Sequence, residues 1–214
     1  MTILTFDLHI HSKYSKDSIM SPAQIIKIAK EKKLTGIAVT DHNTIRGGIE
    51  VKKKSDKDLF VIVGSEIKTD RGEIIGLFLN EEIRSKDFFE VVDDIKGQGG
   101  KCVLPHPYRN HYADPASLIS YVDAIEGFNS RNPKDFNIKA QNLARSQRIV
   151  MTAGSDAHMP FEIGYAMTCI EEKNFYNQFS ILSKATFIQG NNHSQLMRFF
   201  LICAGKSTVI LKKI

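Results

Sequence analysis

Asp7-Leu8-His9-Ile10-His11 places three side chains able to bind a metal at alternate positions, with apolar residues between them. On a regular β-strand alternate side chains share a face. The pattern therefore aims Asp7, His9 and His11 one way, and Leu8 and Ile10 the other. A strand buried on both faces is normally apolar throughout, so three polar groups on one face call for a strong partner, and a cation fits. Asp17, Asp41-His42, Glu66, His106 and Asp156-Ala157-His158 offer more groups of the same kind. Singly, each has an ordinary explanation: a hydrogen-bonded strand histidine, an aspartate opening a turn, a glutamate paired with a lysine. Jointly they demand several buried imidazoles and carboxylates with nothing to neutralise them, and burial of unpaired charge is costly. A metal cluster is the favoured reading.

Such groups converge only if the elements carrying them do. The pattern predicts strands over 3–10, 36–40, 59–63, 73–79, 102–104, 124–128, 149–153 and 167–170. Ser21-Pro22-Ala23-Gln24 reads as a capping box opening a helix that ends near Lys33. Further helices are expected over 46–54, from a Ser85 cap to Gly97, and near 135–147, 174–184 and 192–204. Alternating strands and helices imply a mainly parallel sheet. His11, Asp41-His42, Glu66, His106, Asn129 and Asp156 all fall at or just past predicted strand C-termini, where barrel enzymes place their chemistry. An open doubly wound sheet would gather its ligands at one switch point. The expected fold is therefore α/β, a closed or nearly closed barrel. Gly97-Gln98-Gly99-Gly100 precedes a strand instead of following one, so it reads as a turn and not as a phosphate loop.

With 214 residues, the chain is expected to form a single domain over 1–214. Hydrophobic residues at 42% and charged residues at 25% are ordinary for a globular protein. The net charge of +5 is mild and suits an anionic substrate. Lys52-Lys53-Lys54 reads as a solvated helix face, and no dense basic and aromatic tract marks a stable nucleic-acid complex. Cys102, Cys169 and Cys203 sit in apolar contexts and read as buried free thiols in a reducing compartment. The run 199–205 is too short for a bilayer, which needs ~20 residues. A cytoplasmic location is expected, without a membrane partner.

Several segments resemble, in order, the motifs of the polymerase and histidinol phosphatase (PHP) family of metal-dependent phosphoesterases: Asp7-Leu8-His9-Ile10-His11-Ser12, Thr40-Asp41-His42-Asn43-Thr44, Gly64-Ser65-Glu66, Pro105-His106-Pro107 and Gly154-Ser155-Asp156-Ala157-His158. The resemblance implies a distorted seven-stranded TIM-like barrel holding two or three divalent ions, with manganese, zinc or iron suited to mixed nitrogen and oxygen donors. It implies that His9, His11, Glu66 and Asp156 hold one ion, that Glu66 and His106 hold a second, and that Asp17, His42 and His158 hold a third. The eighth ligand position falls within 126–129, at Asn129 or Glu126, and Asn129, just past a strand end, is the choice.

The implied chemistry is hydrolysis of a phosphate ester in a small metabolite or nucleotide by a metal-bridging hydroxide. Arg109 and Arg131, both after strand ends, suit phosphate oxygens. Asp156 or His158 is the candidate proton donor to the leaving group. Asp7 and Asp41 are expected to orient ligand imidazoles. Ser12 and Ser155 lie inside metal motifs without a separate histidine–carboxylate pair, which disfavours serine chemistry. His111 and His193 lie outside the motifs. The alternatives are a nuclease or oligonucleotide-end phosphatase, a histidinol phosphatase, and a non-catalytic metal-stabilised module.

Overall fold

The computed structural model describes residues 2–109, 113–183 and 187–190. Its strands are β1 (Ile3–Ile10), β2 (Gly36–Val39), β3 (Phe60–Thr69), β4 (Gly72–Leu77), β5 (Lys101–Leu104), β6 (Ala124–Asn129), β7 (Val150–Gly154), β8 (Ala166–Glu171) and β9 (Phe187–Gly190). The helices are α1 (Pro22–Glu31), α2 (Arg46–Lys54), α3 (Phe88–Gly97), α4 (Pro115–Leu118), α5 (Lys134–Gln147) and α6 (Ser180–Ser183). The strands make one sheet in the order β7-β6-β5-β4-β3-β2-β1-β8-β9. β1, β2 and β3 run parallel, as do β5, β6 and β7, while β4 and β8 oppose their neighbours.

The sheet curls until its parallel ends meet. The Asp156 N–H donates to the His9 carbonyl at 2.8 Å, and the His11 N–H donates to Ala157 at 2.9 Å. On β8, Thr168 Oγ1 accepts from the Ala153 N–H of β7 at 2.8 Å. These contacts bring β7 against β1 and β8, giving the nearly closed α/β barrel expected from the sequence. Phe6, Leu8, Ala38, Ile62, Val103 and Ala124 fill its interior. Ile25 and Ala29 of α1 pack outside on Ile37 and Val39, and Phe88, Val92 and Ile95 of α3 pack on Ile74 and Leu104. Each such buried aliphatic or aromatic side chain contributes ~1.5–3 kcal/mol.

Two bulges decide which residues face the interior. Between β1 and β2 the register passes from Asp7↔Ile37 to Ile10↔Val39, one extra residue on β1. Such a residue reverses the alternation of faces. Phe6 and Leu8 therefore lie inside the barrel whereas Ile10 packs outside with α1. The second shift lies between Glu126 and Phe128 on β6. It lets Glu126 and Asn129, three apart in sequence, point to the same place.

α1 carries the predicted capping box, with the Ser21 and Gln24 side chains each bonded to the other's backbone. For α3 the cap is Asp87, not Ser85: its carboxylate accepts from the N–H groups of Phe89 and Glu90 at 2.9 and 3.0 Å. Ser85 donates to Glu90 Oε2 instead. β3 runs on past the predicted strand end to Thr69 and turns back into β4, because Glu66 to Thr69 find antiparallel partners there. The expected helix near 174–184 is a 3-10 turn over Glu172–Asn174 followed by α6, and β9 was not anticipated. The predicted helix at 192–204, His111, His193 and Cys203 lie outside the described residues. Cys102 and Cys169 are buried free thiols. Among the described residues no helix is long and apolar enough to cross a membrane.

Candidate metal centre

At the C-terminal mouth of the parallel strands, His9 Nε2 and His11 Nε2 stand 3.1 Å apart. Asp156 Oδ1 lies 3.6 Å from the first and 3.3 Å from the second. Glu66 spans the same pair, with Oε1 3.5 Å from His9 and Oε2 3.4 Å from His11. Its Oε1 also lies 2.8 Å from His106 Nε2, and its Oε2 3.0 Å from His42 Nδ1. Asp17 Oδ2 is shared between His42 Nε2 at 3.3 Å and His158 Nε2 at 3.1 Å. His9, His11, Glu66, His106, Asp156 and His158 are all buried.

This donor set fits divalent ions. Metal–ligand bonds of ~2.0–2.2 Å at tetrahedral or right angles place ligand atoms ~2.8–3.6 Å apart, and the separations above fall in that range. Three trios, His9/His11/Glu66, His9/His106/Asp156 and His11/His42/His158, each bring one ligand atom per residue within 4.8 Å of the others. Asp17 Oδ1 is buried and has no hydrogen-bond partner among the described residues. His106 and Asp156 both adopt positive φ, 24° and 56°. Such conformations cost ~1–3 kcal/mol each and persist where the surroundings over-determine them, often at functional sites.

Burial and neighbouring charges shift the protonation of the cluster's groups in opposite directions. Burial disfavours a charge on His9, but the carboxylates of Asp156, Glu126 and Glu66 outweigh it and hold its pKa well above the ordinary value. His11 is driven the other way, down to about 3, by burial and by the neighbouring His158 and His42. A protonated His9 can thus donate to a neutral His11 across their short contact. His42 is raised to about 11 because Glu66 and Asp17 overcome its burial. Burial opposes ionisation of Glu66 and Asp156, yet His9 and His42 hold Glu66 low, and Arg109 and His9 hold Asp156 low. Each imidazole proton on a ligand nitrogen occupies a lone pair that an ion would need.

A surrounding layer of bonds fixes these ligands. Glu126 Oε1 lies 3.0 Å from His9 Nδ1, and its Oε2 accepts the His106 N–H at 2.8 Å. Asp41 accepts from the N–H and Oγ of both Ser12 and Ser15, at 2.6–3.1 Å. Ser15 Oγ in turn lies 3.2 Å from His11 Nδ1. α2 comes so close to this knot that a Cβ on Gly47 would sit 1.8 Å from Asp41 Oδ2. Glu162, fully buried, accepts from the N–H groups of His158 and Met159 at 2.7 and 2.6 Å.

The sequence placed His9, His11, Asp17, His42, Glu66, His106, Asp156 and His158 in one cluster, and the structure brings all eight together. Three expectations change. Asp7 does not share the face of His9 and His11, because the β1 bulge turns it outward. It accepts from Ser155 N and Oγ and from Gly164 N, at 2.9, 2.5 and 2.7 Å, and orients no imidazole. Asp41 reaches His11 only through Ser15. Asn129 offers the cluster a donor: its Nδ2 donates to Glu126 Oε2 at 2.9 Å and to Asp156 Oδ2 at 3.3 Å, while its Oδ1 accepts the Arg131 N–H at 2.9 Å. Turning the amide over would set its oxygen against two carboxylates. Arg109 donates to Asp156 Oδ2, and Arg131 lies against His158 Nδ1. Ser12 and Ser155 give their hydroxyls to Asp41 and Asp7, so neither is paired with a histidine.

Sequence reasoning missed the roles of Glu73, Glu162 and Ser15. It held Glu126 only as an alternative ligand. A charged residue inside the apolar run 124–128 was the available signal for Glu126. Glu73 sits diagonally from Glu66 across the β3–β4 hairpin, a relation that requires the register.

A nearly closed barrel with imidazoles and carboxylates gathered at its strand C-termini defines an α/β barrel with residue clusters able to hold metal ions. The chain belongs to the PHP domain family, whose model matches residues 7–189. Two uncharacterised proteins of Methanocaldococcus jannaschii are similar: one 49% identical over 114 residues, covering 48% of this chain and 67% of its own length, the other 35% identical over 179 residues, covering 78% and 71%. A two-domain protein of Bacteroides vulgatus containing a predicted PHP-like metal-dependent phosphoesterase has the same fold, with a TM-score of 0.75 at 20% identity, over 89% of this chain and 65% of that one. Endonuclease Q, solved with a duplex carrying an abasic lesion, gives 0.67 at 17% identity over 89% and 60%.

Proposed function

We propose that this chain is a metal-dependent phosphatase acting on a phosphate monoester of a small metabolite or nucleotide. The observation that carries the reading is the convergence of eight ligand-type side chains, from elements spread over residues 9–158, on one mouth of the barrel. His9, His11, Glu66 and Asp156 would hold one ion, Glu66 and His106 take part in a second, and Asp17, His42 and His158 hold a third. Bound divalent ions supply positive charge to phosphoryl oxygens and make water nucleophilic near neutral pH.

The chain's own residues do the rest. Arg109 and Arg131, 24% and 18% exposed, stand at the edge of the cluster, where a guanidinium can take two phosphoryl oxygens at once. Engaging substrate would draw Arg109 from Asp156 and Arg131 from His158, so the arginines neutralise the site until substrate replaces those contacts. His158 Nε2, facing Asp17, can pass a proton to the departing oxygen only while it holds no ion, and Asp156 Oδ2, once Arg109 leaves it, is the other candidate. Glu126 and Ser15 keep the His9 and His11 rings aimed inward.

His9→Ala and Asp156→Ala are expected to abolish release of phosphate from an aryl phosphate with manganese present while the circular dichroism spectrum is retained. Full turnover in either variant would sink the proposal. The likeness to endonuclease Q supports a second reading, a phosphodiesterase on nucleic acid. Cleavage of an abasic duplex at a rate exceeding that on monoesters would favour it.

A further inference from the structure

We infer that Glu73, on β4, is the residue that completes the coordination of the second ion, the one shared by Glu66 and His106. The inference rests on the metal-dependent reading above. It assigns to that site a ligand from a strand that none of the recognisable motifs touches.

Three observations converge. The first is position. β3 and β4 pair antiparallel with Glu66 opposite Ile75 and Lys68 opposite Glu73. Glu66 and Glu73 therefore share one face of the hairpin as diagonal neighbours, ~7–8 Å apart at the backbone and within reach of long side chains. The second is convergence. One carboxylate oxygen of Glu73 lies within 4.8 Å of ligand atoms of both His42 and Glu66, and its Oε2 lies 3.8 Å from His106 Nε2. The third is burial: Glu73 is only 19% exposed and stands beside the almost fully buried Glu66 and His106. Two carboxylates turned toward one another in a half-buried pocket repel, and a cation between them removes that cost.

The residue at the expected eighth position does not compete for this role. The Asn129 amide points its nitrogen at Glu126 and Asp156 and commits its oxygen to the Arg131 N–H. The group it turns toward the cluster is therefore a donor, which cannot ligate a cation. Glu73 supplies an anionic oxygen, so the second ion would see two carboxylates and an imidazole, a harder set than one built on two imidazoles. That composition favours manganese or magnesium-like ions at this position over zinc.

The test counts ions. Wild type, Glu73→Gln and Asn129→Ala, each stripped with chelator and dialysed against micromolar manganese, are assayed for metal per chain by mass spectrometry, with circular dichroism to confirm folding. Glu73→Gln is expected to bind one equivalent fewer than wild type, and Glu73→Asp to regain it with at least tenfold weaker affinity. Asn129→Ala is expected to keep the full complement. An unchanged ion count and affinity in Glu73→Gln overturns the inference. So does loss of one equivalent in Asn129→Ala, which also decides the matter if Glu73→Gln does not fold. Wild type that binds no metal at all would instead remove the reading on which this inference stands.

Discussion

Gly154 is the residue at which packing and ligand placement are most tightly joined. It ends β7, and a Cβ built there would lie 2.3 Å from His9 Cβ, 2.8 Å from Glu126 Oε1 and 3.0 Å from the His9 nitrogen. Ordinary contacts begin near 3.4 Å, so in Gly154→Ala either β7 or His9 must retreat by roughly 1 Å, against a packed core. The 2.8 Å bond from the Asp156 N–H to the His9 carbonyl resists separation of the two strands. Overpacking of this kind costs ~1–3 kcal/mol, which for a chain of this size lowers Tm by roughly 2–12 °C. The loss of function should be larger than the loss of stability. Coordination bonds tolerate ~0.2 Å, and a catalytic misplacement of ~1 Å can cost about 100-fold. Calorimetric titration with manganese, a thermal melt and aryl phosphate turnover, run on one preparation, separate the two effects. Gly127→Ala is the control, since the three atoms nearest its added methyl all belong to the flexible Met151 side chain, at 3.2–3.4 Å. Wild-type manganese affinity in Gly154→Ala would refute the claim that β7 holds His9 in a position set to tenths of an ångström.

Two further outcomes follow from the protons and bonds around the ligands. Glu126→Gln removes the negative charge that faces His9 Nδ1 and is expected to weaken manganese binding ~10–100-fold; titration at unchanged affinity would deny Glu126 that role. The metal-free protein should lose stability as pH rises from about 6.5 toward about 11. In that window folded His42, and His9 with it, retains a proton that the unfolded chain has released. The carboxylates held low, Glu66 and Asp156, contribute fully throughout that window and do not reverse the slope. Excess manganese should displace those protons and make the bound protein gain stability relative to the free one over the same range. Melts with chelator and with manganese at several pH values check this, and parallel curves would contradict it.

The fold was legible because its signals are local. Apolar runs marked eight of the nine strands among the described residues, and the Ser21 box marked the start of α1. The site was legible because its residues fall at strand ends and their types admit few other joint explanations. What sequence could not supply was register. The bulge on β1 turns Asp7 away from His9 and His11, and nothing in Asp7-Leu8-His9 announces it. The bulge on β6 sets Glu126 beside Asn129. The hairpin that carries Glu73 to Glu66 depends on β3 continuing past Glu66, where the apolar pattern had already given out. Partners of a buried polar group are set by strand pairing, and pairing is a long-range property.

Crystals soaked in manganese and measured at its absorption edge test the central claim most directly. The account predicts an anomalous peak between His9, His11, Glu66 and Asp156, ~2.0–2.2 Å from the nitrogen and oxygen donors, with further density toward His106 and His42. A map with no peak there, while ions appear elsewhere on the protein, would contradict it.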